Sequence, residues 1–274
     1  MLPEYLFNEY NLKHPENFLL ISGPCVVESK SVVFKTCEAL KEITNKLNIP
    51  FIFKSSYIKA NRTSADSFRT MGIEESLRIL SDAKKEFETL ILTDVHSESE
   101  IPDAAEVADV LQIPAFLSRQ TELLESAGRS GKIVNIKKGQ FLAPEDMEYQ
   151  AKKVSSTGNK KIFLTERGSS FGYHNLVVDM RGLVIMSKTG YPVIFDATHS
   201  VQMPSGEKGV SGGSPEFITP LARAAAAAGV DGFFIETHPE PSKALSDASS
   251  MMKLDRMESL LKQLSEIHLL KTVK

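Results

Sequence analysis

The chain has 274 residues, 42% hydrophobic and 24% charged, which suits a globular protein able to bury one sizeable core. Its 32 Lys and Arg against 35 Asp and Glu give a net charge of −3, so nothing drives it as a whole toward nucleic acid or an anionic membrane, and basic residues that matter must be gathered locally. Residues 1–17 carry acids and prolines where a secretory signal has a basic start and an apolar run, and the longest apolar stretch, LARAAAAAGV, is short and broken by Arg223; a cytoplasmic protein with no membrane or nucleic-acid partner is expected.

Eight short apolar, β-branched or aromatic runs follow in order: FLLISG (18–23), FIFKS (51–55), LILTDV (90–95), ADVLQI (108–113), KIVNIK (132–137), KIFLTE (161–166), PVIFDA (192–197) and GFFIET (232–237). Continuous runs of this length suit strands covered on both faces, as in a parallel sheet. Amphipathic helices are predicted between them. In the first, Val33, Cys37, Leu40, Thr44 and Leu47 share one stripe, so Cys37 reads as core; Cys25, the other of only two cysteines, sits in a different context, and no disulfide framework is expected. In the seventh, Ser214 is the expected N-cap and Pro215 the first helical residue, with Phe217, Ile218 and Leu221 inward and Gly229 past the end. The eighth is expected from near Ser249 through Met257, Leu260, Leu261, Leu264 and Ile267. Eight such units without a Pro/Gly-rich linker predict a single-domain (β/α)8 TIM barrel over residues 18–274, with residues 1–17 as an N-terminal extension capping its bottom.

In this architecture function sits on the loops after the strands' C-terminal ends. Those positions carry Cys25 and Glu28; Lys54, Lys59, Asn61, Arg62 and Ser64; Asp94 and His96; Gln112 and Arg119; Lys137 and Lys138; Glu166 and Arg167; Asp196 and His199; Glu236 and His238. Charged residues begin wherever strands end, but the fifth run argues for more. Ile133, Asn135 and Lys137 share one face by the two-residue alternation, and an Asn fits the barrel mouth better than the helix-covered side, so Lys137 should point inward to an anionic partner, with Lys138 supporting or solvated. Lys59, Arg62, Arg119, Lys137 and Arg167 around one cleft suit phosphate and carboxylate groups. No GxxxxGK[ST] or GxGxxG occurs, so neither a nucleotide nor another organic cofactor is expected.

Closing a barrel sets the eighth strand beside the first and the seventh, which draws Cys25, His199 and Glu236 to one corner within reach of Asp247 in KALSDASS. Thiolate, imidazole and two carboxylates form a plausible site for a divalent transition metal such as Zn²⁺, Fe²⁺ or Mn²⁺. Each has a blander reading: a packed thiol, a substrate-bonding His, a helix-capping Asp.

Taken together, GPCVVES, KSSYIKANRTS, TDVH, QIPAFLSRQT, VNIKKGQF, ERGSSFGYHNLVVDM, DATHSVQ, SGG and ETHPEPSKALSDAS resemble the 3-deoxy-D-manno-octulosonate 8-phosphate synthases, in register from about residue 18 to 250, most specifically through KANR at 59–62. The resemblance implies condensation of phosphoenolpyruvate with D-arabinose 5-phosphate and water in lipopolysaccharide biosynthesis, by a cytoplasmic homotetramer, and Cys25 with the SDAS segment implies the metal-dependent type. It further implies that Lys59, Lys137 and Arg167, with Gln112 and the Ala115 backbone, hold phosphoenolpyruvate, while Asn61, Arg62 and Ser64 orient the sugar phosphate and Asp94 and His96 neighbour the reacting groups. Lys54, Arg119 and Asp196 complete the expected substrate-binding set, and Lys59, Asn61, Asp94, His96, Lys137 and His199 the catalytic one. Ile58 and His174 depart from the family's usual polar residues. The rivals are a 3-deoxy-heptulosonate 7-phosphate synthase using erythrose 4-phosphate and a non-catalytic sugar-phosphate sensor.

Overall fold

The computed structural model describes residues 2–60, 68–207 and 210–271. Each of the eight apolar runs is a strand: β1 (Leu19–Gly23), β2 (Phe51–Lys54), β3 (Leu90–Asp94), β4 (Val110–Ile113), β5 (Ile133–Lys137), β6 (Ile162–Glu166), β7 (Val193–Asp196) and β8 (Gly232–His238). All pair in parallel with their neighbours, and β1 closes on β8 from Leu19 opposite Gly232 to Gly23 opposite Glu236. The chain is therefore a (β/α)8 barrel, with helices α1 (Lys30–Leu47), α2 (Ile73–Glu86), α3 (Ile101–Val107), α4 (Thr121–Arg129), α5 (Met147–Ser155), α6 (Met180–Ser187), α7 (Ile218–Ala228) and α8 (Met257–Lys271) outside it.

Strand alternation divides the apolar residues into two cores. Leu20, Phe53, Ile91, Leu111, Val134, Leu164, Phe195 and Phe233 pack under the helices. Leu19, Ile21, Ile52, Leu92, Val110, Ile133, Phe163, Ile194 and Phe234 fill the barrel, joined by Leu2 and Leu6 from the N-terminal segment, where Tyr5–Asn8 form a helical turn. These inward residues lie toward the strands' beginnings, so apolar packing fills that end and the polar residues further along each strand gather at the other.

Local sequence explains the helix boundaries. In α1 the Ser29 hydroxyl accepts from Val32 N at 3.1 Å, Asn48 ends the helix with φ 54°, and Val33, Cys37, Leu40 and Thr44 are buried on one side. Gly229 closes α7 in the same left-handed way at φ 90°. Two expectations shift. Ser214 precedes a 3-10 turn, Pro215–Phe217, and makes no side-chain cap; α7 begins only at Ile218, and Phe217 is 54% exposed. The last helix starts at Met257, because Met252 and Lys253 first pair in parallel with Thr237 and His238, extending the sheet beyond the mouth.

Candidate active site

The strands' C-terminal ends carry a polar ring built by the same alternation that made the core. Inward residues after the apolar layer are Lys54 on β2, Asp94 on β3, Gln112 on β4, Asn135 and Lys137 on β5, Thr165 on β6, Asp196 on β7 and Glu236 on β8, all buried. A Cβ on Gly23 would lie 2.0 Å from the Lys54 carbonyl oxygen, so only glycine lets β1 end this close to β2 and lead into Pro24 and Cys25.

Much of the ring's charge is spent internally. Lys54 Nζ donates to Glu236 Oε1 at 2.5 Å and to the Cys25 carbonyl at 2.9 Å, and both side chains of the pair are 1% exposed. Lys137 Nζ donates to Asp196 Oδ2 at 2.6 Å and stands 3.8 Å above the Phe234 ring. Burial pulls Lys137 down, against Asp196, Glu236 and Asp94. Asp196 also receives His199 Nδ1 at 2.7 Å on Oδ2, and on Oδ1 the His199 and Thr198 backbone N–H groups and the Thr198 hydroxyl. Lys54 and Asp196, expected to touch substrate, are thus committed to protein partners.

A second network runs across four strands. The Thr165 hydroxyl donates to Asn135 Oδ1 (2.6 Å), Asn135 Nδ2 to Gln112 Oε1 (2.8 Å), and Gln112 Nε2 to Asp94 Oδ1 (2.5 Å). The Ser56 hydroxyl takes the other Asp94 oxygen. Burial by itself would raise the Asp94 carboxyl; Lys54, Lys59, His96 and Lys137 outweigh it and hold the group ionised, well below the usual carboxylate range. Glu100, which the sequence reading passed over, accepts from Tyr57 Oη and from the His96 backbone N–H (3.1 Å), and faces His96 Nδ1 at 3.0 Å. Only its place four residues after His96 could have signalled it.

Among the described residues of the ring, two cations remain for a ligand. Among the described residues neither Lys59 nor Arg167 has an ion-pair partner. Burial opposes the charge of Lys59, but Cys25, Glu236, Asp94 and Asp247 overcome it and raise the ammonium above its ordinary range. An amine held charged in this way is poorly suited to forming a Schiff base. Arg167 Nη2 donates to Gln202 Oε1 at 2.9 Å, whereas Nη1 is buried with no partner. Arg119 is exposed on the turn after β4, and Lys153 is held by its carbonyl. Ala115 is buried at the start of that turn. Lys138 is not solvated. Fully buried under the helices, it donates to Ser169 Oγ (2.9 Å) and the Leu142 carbonyl (3.2 Å) and lies 3.5 Å from Glu166, pinning the base of the hairpin after Arg167. Asn61, Arg62 and Ser64 lie outside the described residues. Ile58 packs against the outer core, and His174 is exposed at the hairpin turn.

Ligand atoms of Cys25, Glu236 and Asp247 fall within 4.8 Å of one another. The Cys25 thiol donates to Asp247 Oδ2 at 3.0 Å and lies 2.9 Å from Ser246 Oγ. Burial, then Asp247 and Glu236, push it up, because a thiolate among carboxylates needs a cation to exist. His199 falls outside that common radius, but its Nε2 is 3.7 Å from Glu236 Oε1. His199 Nδ1 lies 2.7 Å from Asp196 Oδ2 and 3.3 Å from Lys137 Nζ; with the proton on Nδ1 toward Asp196, Nε2 carries the lone pair, the arrangement that orients a metal-binding imidazole. Glu236 Oε2 is buried without any hydrogen-bond partner. Sulfur, imidazole and carboxylate donors around an orphaned carboxylate oxygen fit a divalent transition metal. His238, at the end of β8, has both ring nitrogens engaged, Nε2 with Glu28 (2.7 Å) and Nδ1 with Glu240 N–H (2.9 Å).

Comparison with known proteins supplies the remaining observation. The family model described as the DAHP synthetase I family matches residues 13–271. The "2-dehydro-3-deoxyphosphooctonate aldolase" of Acidithiobacillus ferrooxidans is 55% identical over 259 residues, covering 94% of this chain and 92% of its own. Proteins of the same name from Methylococcus capsulatus (54% over 256 residues; 93% and 90% covered) and Citrifermentans bemidjiense (56% over 248 residues; 90% and 91%) are as similar.

Proposed function

The chain belongs to the DAHP synthetase I family, and from the names of its relatives at 54–56% identity we propose that it is a 3-deoxy-8-phosphooctulonate synthase: it condenses phosphoenolpyruvate with D-arabinose 5-phosphate and water, releasing inorganic phosphate and forming 3-deoxy-D-manno-octulosonate 8-phosphate. The observation that carries the chemistry is the buried Arg167 Nη1 with no partner, at the same barrel mouth as a buried, charged Lys59. Buried cations persist where an anion completes them, and a carboxylate and a phosphate on one small molecule do so.

Phosphoenolpyruvate is a weak carbon nucleophile, so the work is to hold its C3 against the sugar aldehyde while water adds at C2. Lys59 and Arg167 hold its anionic groups, and Lys137, itself paired with Asp196, lines the same mouth. The directed chain from Thr165 to Gln112 fixes Asp94 at the mouth, the cations around it keep it ionised, and Glu100 orients His96 beside it. Asn61, Arg62 and Ser64 take the sugar phosphate, as in the family the chain resembles. Cys25, His199, Glu236 and Asp247 are the residues to hold a Zn²⁺, Fe²⁺ or Mn²⁺ ion, supported by the orphaned Glu236 oxygen. When bound, such an ion supplies orientation of water and Lewis-acid polarisation.

Exposed rings on the loops after β4, β5 and β6, namely Phe116 (55%), Phe141 (58%), Phe171 (70%) and Tyr173 (98%), support self-association as the homotetramer the resemblance implies. No described helix is long and apolar enough to cross a membrane, and cytoplasmic residence is part of the proposal.

The test is phosphate release from phosphoenolpyruvate with arabinose 5-phosphate or erythrose 4-phosphate, with and without chelation. Turnover with the five-carbon sugar, lost on chelation and restored by Mn²⁺, Fe²⁺ or Zn²⁺, is expected. Preference for erythrose 4-phosphate, in line with the description of the family model, would replace the substrate assignment, and turnover undiminished after chelation would remove the metal. Binding without phosphate release would leave a sensor.

A further inference from the structure

Glu28 stands among the candidate metal ligands without being one of them. It follows Cys25 by three residues on the loop after β1, and its carboxylate is 9% exposed. Oε1 faces His238 Nε2 at 2.7 Å, and Oε2 accepts the Leu245 backbone N–H at 2.9 Å. Because His238 Nδ1 already accepts from Glu240 N–H at 2.9 Å, the ring proton is assigned to Nε2, and it donates to Glu28.

Three separate segments therefore meet on one carboxylate. Cys25 lies on the Glu28 loop, Glu236 two residues before His238 at the end of β8, and Asp247 two residues after Leu245. The last of these is otherwise held through the candidate ligands themselves, Cys25 Sγ reaching Asp247 Oδ2 at 3.0 Å and Ser246 Oγ at 2.9 Å; Leu245 is 49% exposed, and Asp247 has φ 49°, a left-handed conformation that a non-glycine residue keeps only where its surroundings enforce it. A loop held at the right place by one charged double acceptor is costly to replace, since a single carboxylate supplies both bonds and neither water nor a neutral amide accepts in the same two directions.

We propose that Glu28 is a positioning residue that clips the segments bearing Cys25, Glu236 and Asp247 into one divalent-cation site and sets how long the cation stays. The inference rests on the metal reading above and assigns a duty to a residue that binds neither metal nor substrate. His238 acts only as the partner through which Glu28 grips β8.

The experiment is a cobalt(II) titration of chelator-stripped full-length protein, following the thiolate-to-cobalt absorption band for affinity and its decay in excess chelator for release. Glu28→Ala is expected to weaken cobalt binding about 10- to 100-fold and to speed release, as removal of outer support does at metal sites. Glu28→Gln, which keeps one acceptor, falls between it and the unsubstituted protein, and carries the test if Glu28→Ala does not fold. His238→Gln restores an amide donor at the Nε2 position and stays near the parent affinity. Lys243→Ala, 72% exposed on the same loop, changes neither reading. Equal affinity and release rate in the parent and both Glu28 variants overturns the clip while leaving the metal site standing, and so does a loss in Lys243→Ala matching that in Glu28→Ala. Failure of the parent protein itself to take up cobalt removes the metal reading, and the clip with it.

Discussion

Replacing Lys54 by Met in metal-free protein isolates the pair that the barrel interior had to build. Lys54 and Glu236 are each 1% exposed and 2.5 Å apart, so the substitution leaves a buried carboxylate unpaired and removes a donor from the Cys25 carbonyl. Removing one partner of such a pair costs about 3–5 kcal/mol. At roughly 2.1 cal/mol/K of unfolding entropy per residue, 274 residues give about 0.6 kcal/mol/K, and the Tm falls by roughly 5–9 °C. Burial alone would raise the Glu236 carboxyl; Lys54, foremost, with His199, Lys59 and Lys137, brings it to about 2. Without Lys54 the folded-state pKa rises, so the Tm deficit is greatest at neutral pH and shrinks as the pH is lowered toward it. The Lys54→Met/Glu236→Gln double variant, with no charge left unpaired, recovers most of the loss. Calorimetry at a fixed scan rate on the parent, the two single variants and the double variant closes the cycle. A Tm for Lys54→Met within about 2 °C of the parent, or a double variant no better than Lys54→Met, refutes the reasoning.

Leu6→Ala, at a fully buried position in the N-terminal segment, costs about 2–5 kcal/mol by chemical denaturation yet leaves turnover unchanged, because that segment packs at the barrel end opposite the mouth. Arg167→Lys keeps the charge but not the planar fork, and raises the KM for phosphoenolpyruvate by about tenfold, read in steady-state kinetics. Glu100 supplies a pH test. Burial tends to raise it, but hydrogen bonds from His96 and Tyr57 outweigh burial and bring it from 4.5 to about 2. A depressed folded-state value gives stability that is complete above about pH 4.5 and lost as the pH falls toward 2, so the difference in urea midpoint between the parent and Glu100→Gln shrinks across that window. A difference that grows on acidification contradicts the assignment.

The strands were legible because a parallel barrel strand is covered on both faces, and its residues form an apolar run whatever its neighbours are. Alternation then assigned faces: placing Asn135 and Lys137 on one side of β5 and Lys138 on the other follows from a period of two. Boundaries set by tertiary contacts were not legible. Met252 and Lys253 pair with the end of β8 instead of starting a helix, and no local pattern distinguishes the two.

By itself, the sequence determined the element order, the closed parallel sheet and the identity of the residues that end each strand, since these depend on periodicity and chain order alone. Which cations remain for a ligand was decided only in three dimensions. Lys54 meets Glu236 across 182 positions, and Lys137 meets Asp196 across 59. The reason is dielectric: in a buried ring each charge is governed by its nearest neighbours, and barrel closure, not sequence spacing, chooses them.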